Sequence, residues 1–244
     1  MLEDLRWLGI EWEAPVRRQS EHFDDYQGAL DRLQAMGLVY PAFMTRGEIR
    51  RAVAELELSG QKWPRDPDGS PHYPGNERDM SVEQLEELRR ARPQHSWRLN
   101  MALALRRLGG GGSEGGALKW REVSFDQPEL SQEVVARPEL WGDVVLARSD
   151  TPTSYHLAVT VDDALQGITH VVRGTDLYEA TAVHRLLQTL LQLPEPVYHH
   201  HQLVIDADGR KLSKSDGDVS LQALRNQGVV PEKIPELFRF AAQS

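Results

Sequence analysis

The chain contains no cysteine. Disulfides and thiolate metal sites are therefore excluded, and cysteine usage says nothing about the redox compartment. No apolar run approaches the ~20 residues that cross a bilayer as a helix. The first thirty residues carry acids and arginines throughout and hold no apolar signal-peptide core. The expectation is a cytoplasmic protein. Positive charge is also in short supply: 28 basic residues face 37 acidic ones, for a net charge of −9. Non-specific nucleic-acid binding is driven by phosphate contacts and favours basic domains, so this balance argues against it. A local basic face is not excluded. Arg89, Arg90, Arg92, Arg98, Arg106 and Arg107 form one basic stretch, read as a solvated helical face.

What is present is enough for a full core. The 244 residues are 40% apolar and 27% charged, as in an ordinary globular chain. Leu2, Leu5 and Leu8 recur at helical spacing over residues 1–9. Residues 23–37 predict a second helix, with Phe23, Tyr26, Leu30 and Leu33 on one stripe and Gly37 as its C-terminal cap. Val39 and Tyr40 form a short strand candidate. Thr45 followed by Glu48 is a capping-box pattern opening a helix to Leu58. Residues 60–79 are rich in Pro, Gly, Asp and Asn and read as loop. Ser81 caps a helix that Pro93 stops. Residues 95–105 fit a strand or a helix, and the glycine run 109–116 reads as linker.

The second half predicts strands at 143–147, 154–161, 168–172 and 203–205, with a short helix or turn at 162–167 and a long helix at 175–193. Strand, helix and strand make a βαβ unit and hence a parallel sheet. In such sheets ligands lie beyond the carboxyl ends of the strands.

Several residues there invite chemistry. Arg173 ends a strand and precedes Gly174. It can fork onto a ligand carboxylate or join a surface ion pair. Tyr155, placed on the 154–161 strand, fits core packing as well as a ligand contact. Of His199, His200 and His201 only the first and last share a strand face, and a metal would need a third ligand. Asp162 and Asp163 read as helix caps. Lys211-Leu212-Ser213-Lys214-Ser215 follows the apolar strand and the turn Asp206-Ala207-Asp208-Gly209. Two lysines on such a loop suit a polyphosphate.

These motifs carry a resemblance. Lys211–Ser215 resembles the KMSKS signature loop of the class I aminoacyl-tRNA synthetases. SYHLAV, VDDALQGITHVVRG and DADGRKLSKS, in this order, resemble the glutamyl-tRNA synthetase group, as do LEDLRWLGIEWE, YP, TRGEI and HYPG. The likeness runs along nearly the whole chain. Only about thirty residues follow the signature loop, as in the truncated subfamily of glutamyl-Q tRNA(Asp) synthetases, which lack an anticodon-binding domain. A fragment of a glutamyl-tRNA synthetase is the less favoured alternative.

The resemblance implies an α/β fold, a Rossmann-like catalytic domain with parallel sheet and an inserted small subdomain. The expected divisions are 1–38 for the rest of the first Rossmann half, 39–95 for the insertion, 96–210 for the second half with the glutamate pocket, and 211–244 for the signature loop and a helical end. It implies a monomeric ligase that activates L-glutamate with ATP, accompanied by Mg2+, and transfers it to queuosine-containing tRNA(Asp). Lys214 would be the catalytic, ATP-contacting lysine, with Lys211 and Ser213 shaping the ATP-binding loop. Tyr155 and Arg173 match the glutamate-binding positions. Two departures stand out. The subfamily's zinc ligands correspond to Ala42, Met44, Tyr73 and Glu77, so no zinc is expected and packing should hold the insertion. No HIGH-type motif occurs in the sequence, so the catalytic domain is expected to be incomplete at its N-terminus; an inactive RNA-binding remnant is the alternative this leaves.

Overall fold

A computed structural model describes residues 1–109, 117–124, 130–205, 212, 220–237 and 239–240. Contacts divide the chain into two units. The smaller comprises Met1–Arg18, Val172–Asp176 and His200–Ser244, and the larger Gln19–Val171 and Leu177–His199.

Chain order begins with α1 (Leu2–Trp7) and α2 (Phe23–Ala35). Of its predicted stripe α2 buries Tyr26, Leu30 and Leu33, together with Ala29, while Phe23 at the first turn stays exposed. Gly37 closes it at φ 70°, with Gly37 N–H donating to Gln34 O and Leu38 N–H to Leu33 O. That double bond pattern satisfies carbonyls a helix end leaves free. β1 (Val39–Ala42) follows, then α3 (Arg46–Leu58) and α4 (Val82–Ala91). Both of these helices open with a complete capping box, at Thr45/Glu48 and Ser81/Gln84.

Residues 95–105 turn out to be both alternatives in succession. β2 (Ser96–Leu99) runs into α5 (Met101–Arg107), and Asn100 divides them by capping Leu103 N–H at 3.0 Å. β3 (Lys119–Val123) and β4 (Ser131–Val135), absent from the sequence reading, form an antiparallel pair. β5 (Val145–Arg148) pairs with β2, which pairs with β1, both antiparallel, in a three-stranded sheet of order β1-β2-β5.

The apolar run 154–161 is a helix, not the strand expected, and Tyr155 is its first residue: α6 spans Tyr155–Leu165. Ser154 caps it by accepting from Leu157 N–H, and Leu157, Ala158 and Val161 bury one face at helical spacing. Asp162 is correspondingly no cap. It lies in the buried part of α6 and accepts from Tyr26 Oη at 2.8 Å and Gln19 Nε2 at 2.9 Å.

β6 (His170–Gly174), α7 (Thr181–Leu191) and β7 (Val197–His201) supply the βαβ unit. The second sheet has the order β4-β3-β7-β6, with β3 and β7 parallel. The returning strand is thus β7. β8 (Val204–Ile205), expected in that role, pairs antiparallel with the two-residue β9 (Arg239–Phe240). Within the smaller unit α8 (Leu221–Asn226) is tied to α1 by Arg225, which reaches Asp4 at 2.9 Å and Glu3 at 3.0 Å.

The main core lies in the larger unit, where α7 packs against α2, α6 and β3. Ten of its eleven residues are buried, polar ones included. Those polar groups are paired, as burial demands. Arg185 donates to Lys119 O, to Gln188 and to Glu195, and Gln188 donates to the Tyr198 hydroxyl.

Candidate active site

The larger unit holds an open cavity of about 810 Å3 between α3, the 66–73 loop, the end of β5 and the first turn of α6. The Ser154 cap starts α6 at this wall and so presents Tyr155 and His156 to the cavity. Tyr155 is 49% exposed, hence no core residue. Behind it His156 Nδ1 meets the buried His184 Nε2 at 3.1 Å, one ring donating and the other accepting. Trp141 packs edge-on against His156 and donates its indole N–H to Glu179 O at 3.1 Å.

The floor is built around Asp143, which the sequence did not single out. Its buried carboxylate accepts from Tyr40 Oη at 2.7 Å, Arg78 Nη1 at 2.6 Å and Met101 N–H at 2.9 Å. Its carbonyl accepts from Arg98 at 2.7 Å. Burial pushes the Tyr40 phenol well above its ordinary pKa, and the Asp143 carboxylate adds to the shift. The partners come from three separate segments, around residues 40, 78 and 98–101, so no local pattern could have revealed this hub. Arg98, expected on a solvated face, instead lies over the Tyr73 ring at 4.3 Å. Burial lowers its pKa, and the nearby Arg148 pushes the same way.

The four positions that match the zinc ligands do converge. Tyr73 donates to Glu77 Oε1 at 2.6 Å, and the same oxygen accepts from Phe43 N–H at 3.1 Å. Met44 N–H donates to the Tyr73 hydroxyl at 3.3 Å. A β-carbon on Gly75 would lie 2.2 Å from Glu77 Oε2 and 2.4 Å from the Tyr73 ring, so the clasp closes only over glycine. Among the described residues, Glu77 Oε2 and Arg98 Nε are buried without a hydrogen-bond partner. Ala42 offers no donor atom, and the Tyr73 hydroxyl and Glu77 Oε1 are committed to each other and to the backbone. These residues do not fit zinc. Packing was expected to replace the metal; hydrogen bonds do so together with packing.

In the smaller unit Arg173 is half-buried near the end of β6 and donates Nε–H to His200 Nε2 at 3.1 Å. A β-carbon on Gly174 would lie 2.4 Å from Asp176 Oδ1 and 3.0 Å from Leu203 Cδ2, so the chain turns closely there. His199 Nδ1 faces Val123 O at 2.7 Å, and His201 Nδ1 faces Gln202 O at 2.8 Å. No group of three or more metal-holding side chains occurs among the described residues. Lys211, Ser213 and Lys214 lie outside the described residues. Between them Leu212 N–H donates to Val204 O at 3.1 Å.

Comparison with known proteins adds the family. The model of the class I (E and Q) tRNA synthetase catalytic domain matches residues 1–106 and 121–242. A glutamyl-Q tRNA(Asp) synthetase of Rhodobacter capsulatus is 43% identical over 97% of this chain and 80% of its own length. One from Nocardia farcinica is 36% identical over 96% of this chain, which spans 65% of that relative. A solved glutamate tRNA ligase from Elizabethkingia meningosepticum superposes with a TM-score of 0.64 at 25% identity, over 88% of this chain and 41% of that one. The chain belongs to the class I (E and Q) tRNA synthetase catalytic-domain family.

Proposed function

We propose that this chain activates glutamate with ATP and transfers the glutamyl group to queuosine in tRNA(Asp). One observation carries the choice within the family. Identity is 43% and 36% to two glutamyl-Q tRNA(Asp) synthetases, against 32% and 31% to two glutamate–tRNA ligases.

In the first step a glutamate carboxylate oxygen attacks the α-phosphorus of ATP and pyrophosphate leaves; Mg2+ enters with ATP. In the second a ring hydroxyl of queuosine attacks the activated carbonyl, giving up its proton, and AMP leaves. Lys214 meets the charge that grows on the phosphates, a preplaced cation acting mainly in the transition state. Lys211 and Ser213 shape its loop. By resemblance, Tyr155, on the cavity wall of the larger unit, and Arg173, held by His200 in the smaller unit, each correspond to a glutamate-binding position. The Arg173 fork suits a carboxylate, and Gly174 lets the backbone turn beside it.

Glutamate-dependent pyrophosphate–ATP exchange without RNA, followed by transfer of labelled glutamate to tRNA(Asp) with or without queuosine, tests the reading. Exchange with glutamate and transfer only to the queuosine-bearing RNA are expected. Arg173→Lys keeps charge but loses the fork, so it raises KM for glutamate and leaves that for ATP nearly unchanged. Lys214→Ala lowers kcat by on the order of a hundredfold. Equal modest losses in both variants would show that the two residues are structural. Transfer to the 3′ end of a tRNA instead would overturn the queuosine assignment.

A further inference from the structure

Three arginines on the cavity have no ion-pair partner among the described residues. Arg46 and Arg50 come from α3 and Arg148 from the end of β5, and all three are exposed cavity-lining residues. Their guanidinium groups make no hydrogen bond or ion pair with any described residue. The arrangement is unfavourable for the fold by itself. Arg46 sits in the first turn of α3, where the helix dipole opposes a cation. Arg50 is four residues on, a like-charge spacing that destabilises a helix. The acid of the same turn, Glu48, is committed to the Thr45 capping box and to Arg92. Arg148 adds its charge near Arg98, lowering that group's pKa further.

The cavity's acids do not cancel this charge. Asp143 is neutralised by Arg78. Asp66 holds its own turn by accepting Ser70 N–H at 2.7 Å. Asp66 and Asp68 remain, two acids against four guanidinium groups once Arg98 is counted. In a chain of net charge −9, a cationic cavity is a local exception. Its inner wall is different in kind: the exposed ring of Tyr155 and the imidazole of His156. Cationic residues and aromatic rings lining one cavity match a single-stranded nucleotide. Its phosphates need cations and its base needs a flat apolar face. A volume of about 810 Å3 falls within the ordinary range of ligand pockets, roughly 300–1,000 Å3.

We infer that this cavity receives the acceptor nucleotide of the RNA, extruded from its loop, with Arg46, Arg50 and Arg148 on the flanking phosphates and the modified base directed to Tyr155 and His156. The inference rests on the queuosine reading above and assigns its RNA-binding residues. Extrusion is the general solution where chemistry must reach a base edge.

Fluorescence anisotropy with a queuosine-bearing anticodon stem–loop of tRNA(Asp), across a salt series, tests this. Arg46→Ala, Arg50→Ala and Arg148→Ala are each expected to weaken binding by about tenfold, the worth of one charge-assisted hydrogen bond. The triple variant should flatten the slope of log K against log salt by about 2, at ~0.7 per phosphate contact. Arg46→Lys should keep most of the slope, since the charge remains. Arg106→Ala, on α5 and away from the cavity, should change neither affinity nor slope. Melting temperatures taken in parallel separate binding from folding. The assignment is overturned if the parent protein does not bind the RNA. It is also overturned if the three variants retain parental affinity and slope, or if Arg106→Ala matches them. Pyrophosphate exchange by the parent protein is measured separately and judges the activation reading alone.

Discussion

Asp143 is a single carboxylate on which several distant segments depend. Tyr40 of β1, Arg78 and the first amide of α5 all donate to it. Asp143→Ala would leave a buried hydroxyl, an amide and a guanidinium unanswered, and is expected to cost about 3–5 kcal/mol. Asp143→Asn keeps the shape and loses the charge, for roughly 1.5–3 kcal/mol. Urea unfolding reads both; an Ala variant within about 1 kcal/mol of the parent would refute the hub. At this scale the sequence was legible where geometry is local. The strand end at Arg173 and the turn at Gly174 announced themselves, because they are adjacent in the chain. Asp143 did not, since its partners lie up to 103 residues away. The arginines on the cavity were equally invisible: Arg148 is brought to α3 only by the fold.

At the scale of elements, helix starts were the most readable feature. A capping box is a four-residue event, and both of those in the chain formed. Its chemistry gives α3 an acid-sensitive end. The Thr45 amide, and after it Arg92, hold Glu48 at about 2, below the ordinary carboxylate range. A depressed carboxyl contributes its stability above the unfolded value near 4.3, and loses it as pH falls towards about 2. Glu48→Gln is expected to remove this part of the acid transition. Thr45→Ala should cost about 1 kcal/mol at neutral pH. A Glu48→Gln acid-unfolding curve superposing on the parent's would count against it.

Longer-range elements were read less well. The run 154–161 is apolar enough to pass for a buried strand, and only the Ser154 cap and the spacing of Leu157, Ala158 and Val161 decide for helix. β3 and β4 stayed hidden because β3 follows a glycine-rich stretch and β4 is mostly exposed, which leaves little alternation to detect. The βαβ unit itself was foreseen, but its return strand was placed one strand too late. β7 carries three histidines, which weaken the apolar signal there.

For the whole molecule, fold class and family were legible because they rest on ordered motifs spread along the chain. The Tyr73–Glu77 clasp was not, since correspondence to zinc positions shows only which ligands are missing. The purified protein is expected to hold no stoichiometric zinc, and EDTA should leave its melting temperature unchanged. Elemental analysis returning one zinc per chain would overturn this. The clasp carries a different pH signature from the helix cap. Burial raises the Tyr73 phenol, and its hydrogen bond to Glu77 raises it further. Tyr40 is raised in the same direction. A raised phenol leaves stability intact below the unfolded value near 10, and stability falls as pH climbs beyond it.

A clasp made of a phenol and a carboxylate also has no apo form. A thiolate site must be loaded, competes for a scarce nutrient and is lost when its sulfurs oxidise. Here Phe43, Tyr73 and Glu77 are fastened by groups that every newly made chain already carries, and the chain has no thiol to oxidise. That fastening needs neither zinc supply nor a reduced thiol, whereas a metal-clipped site depends on both.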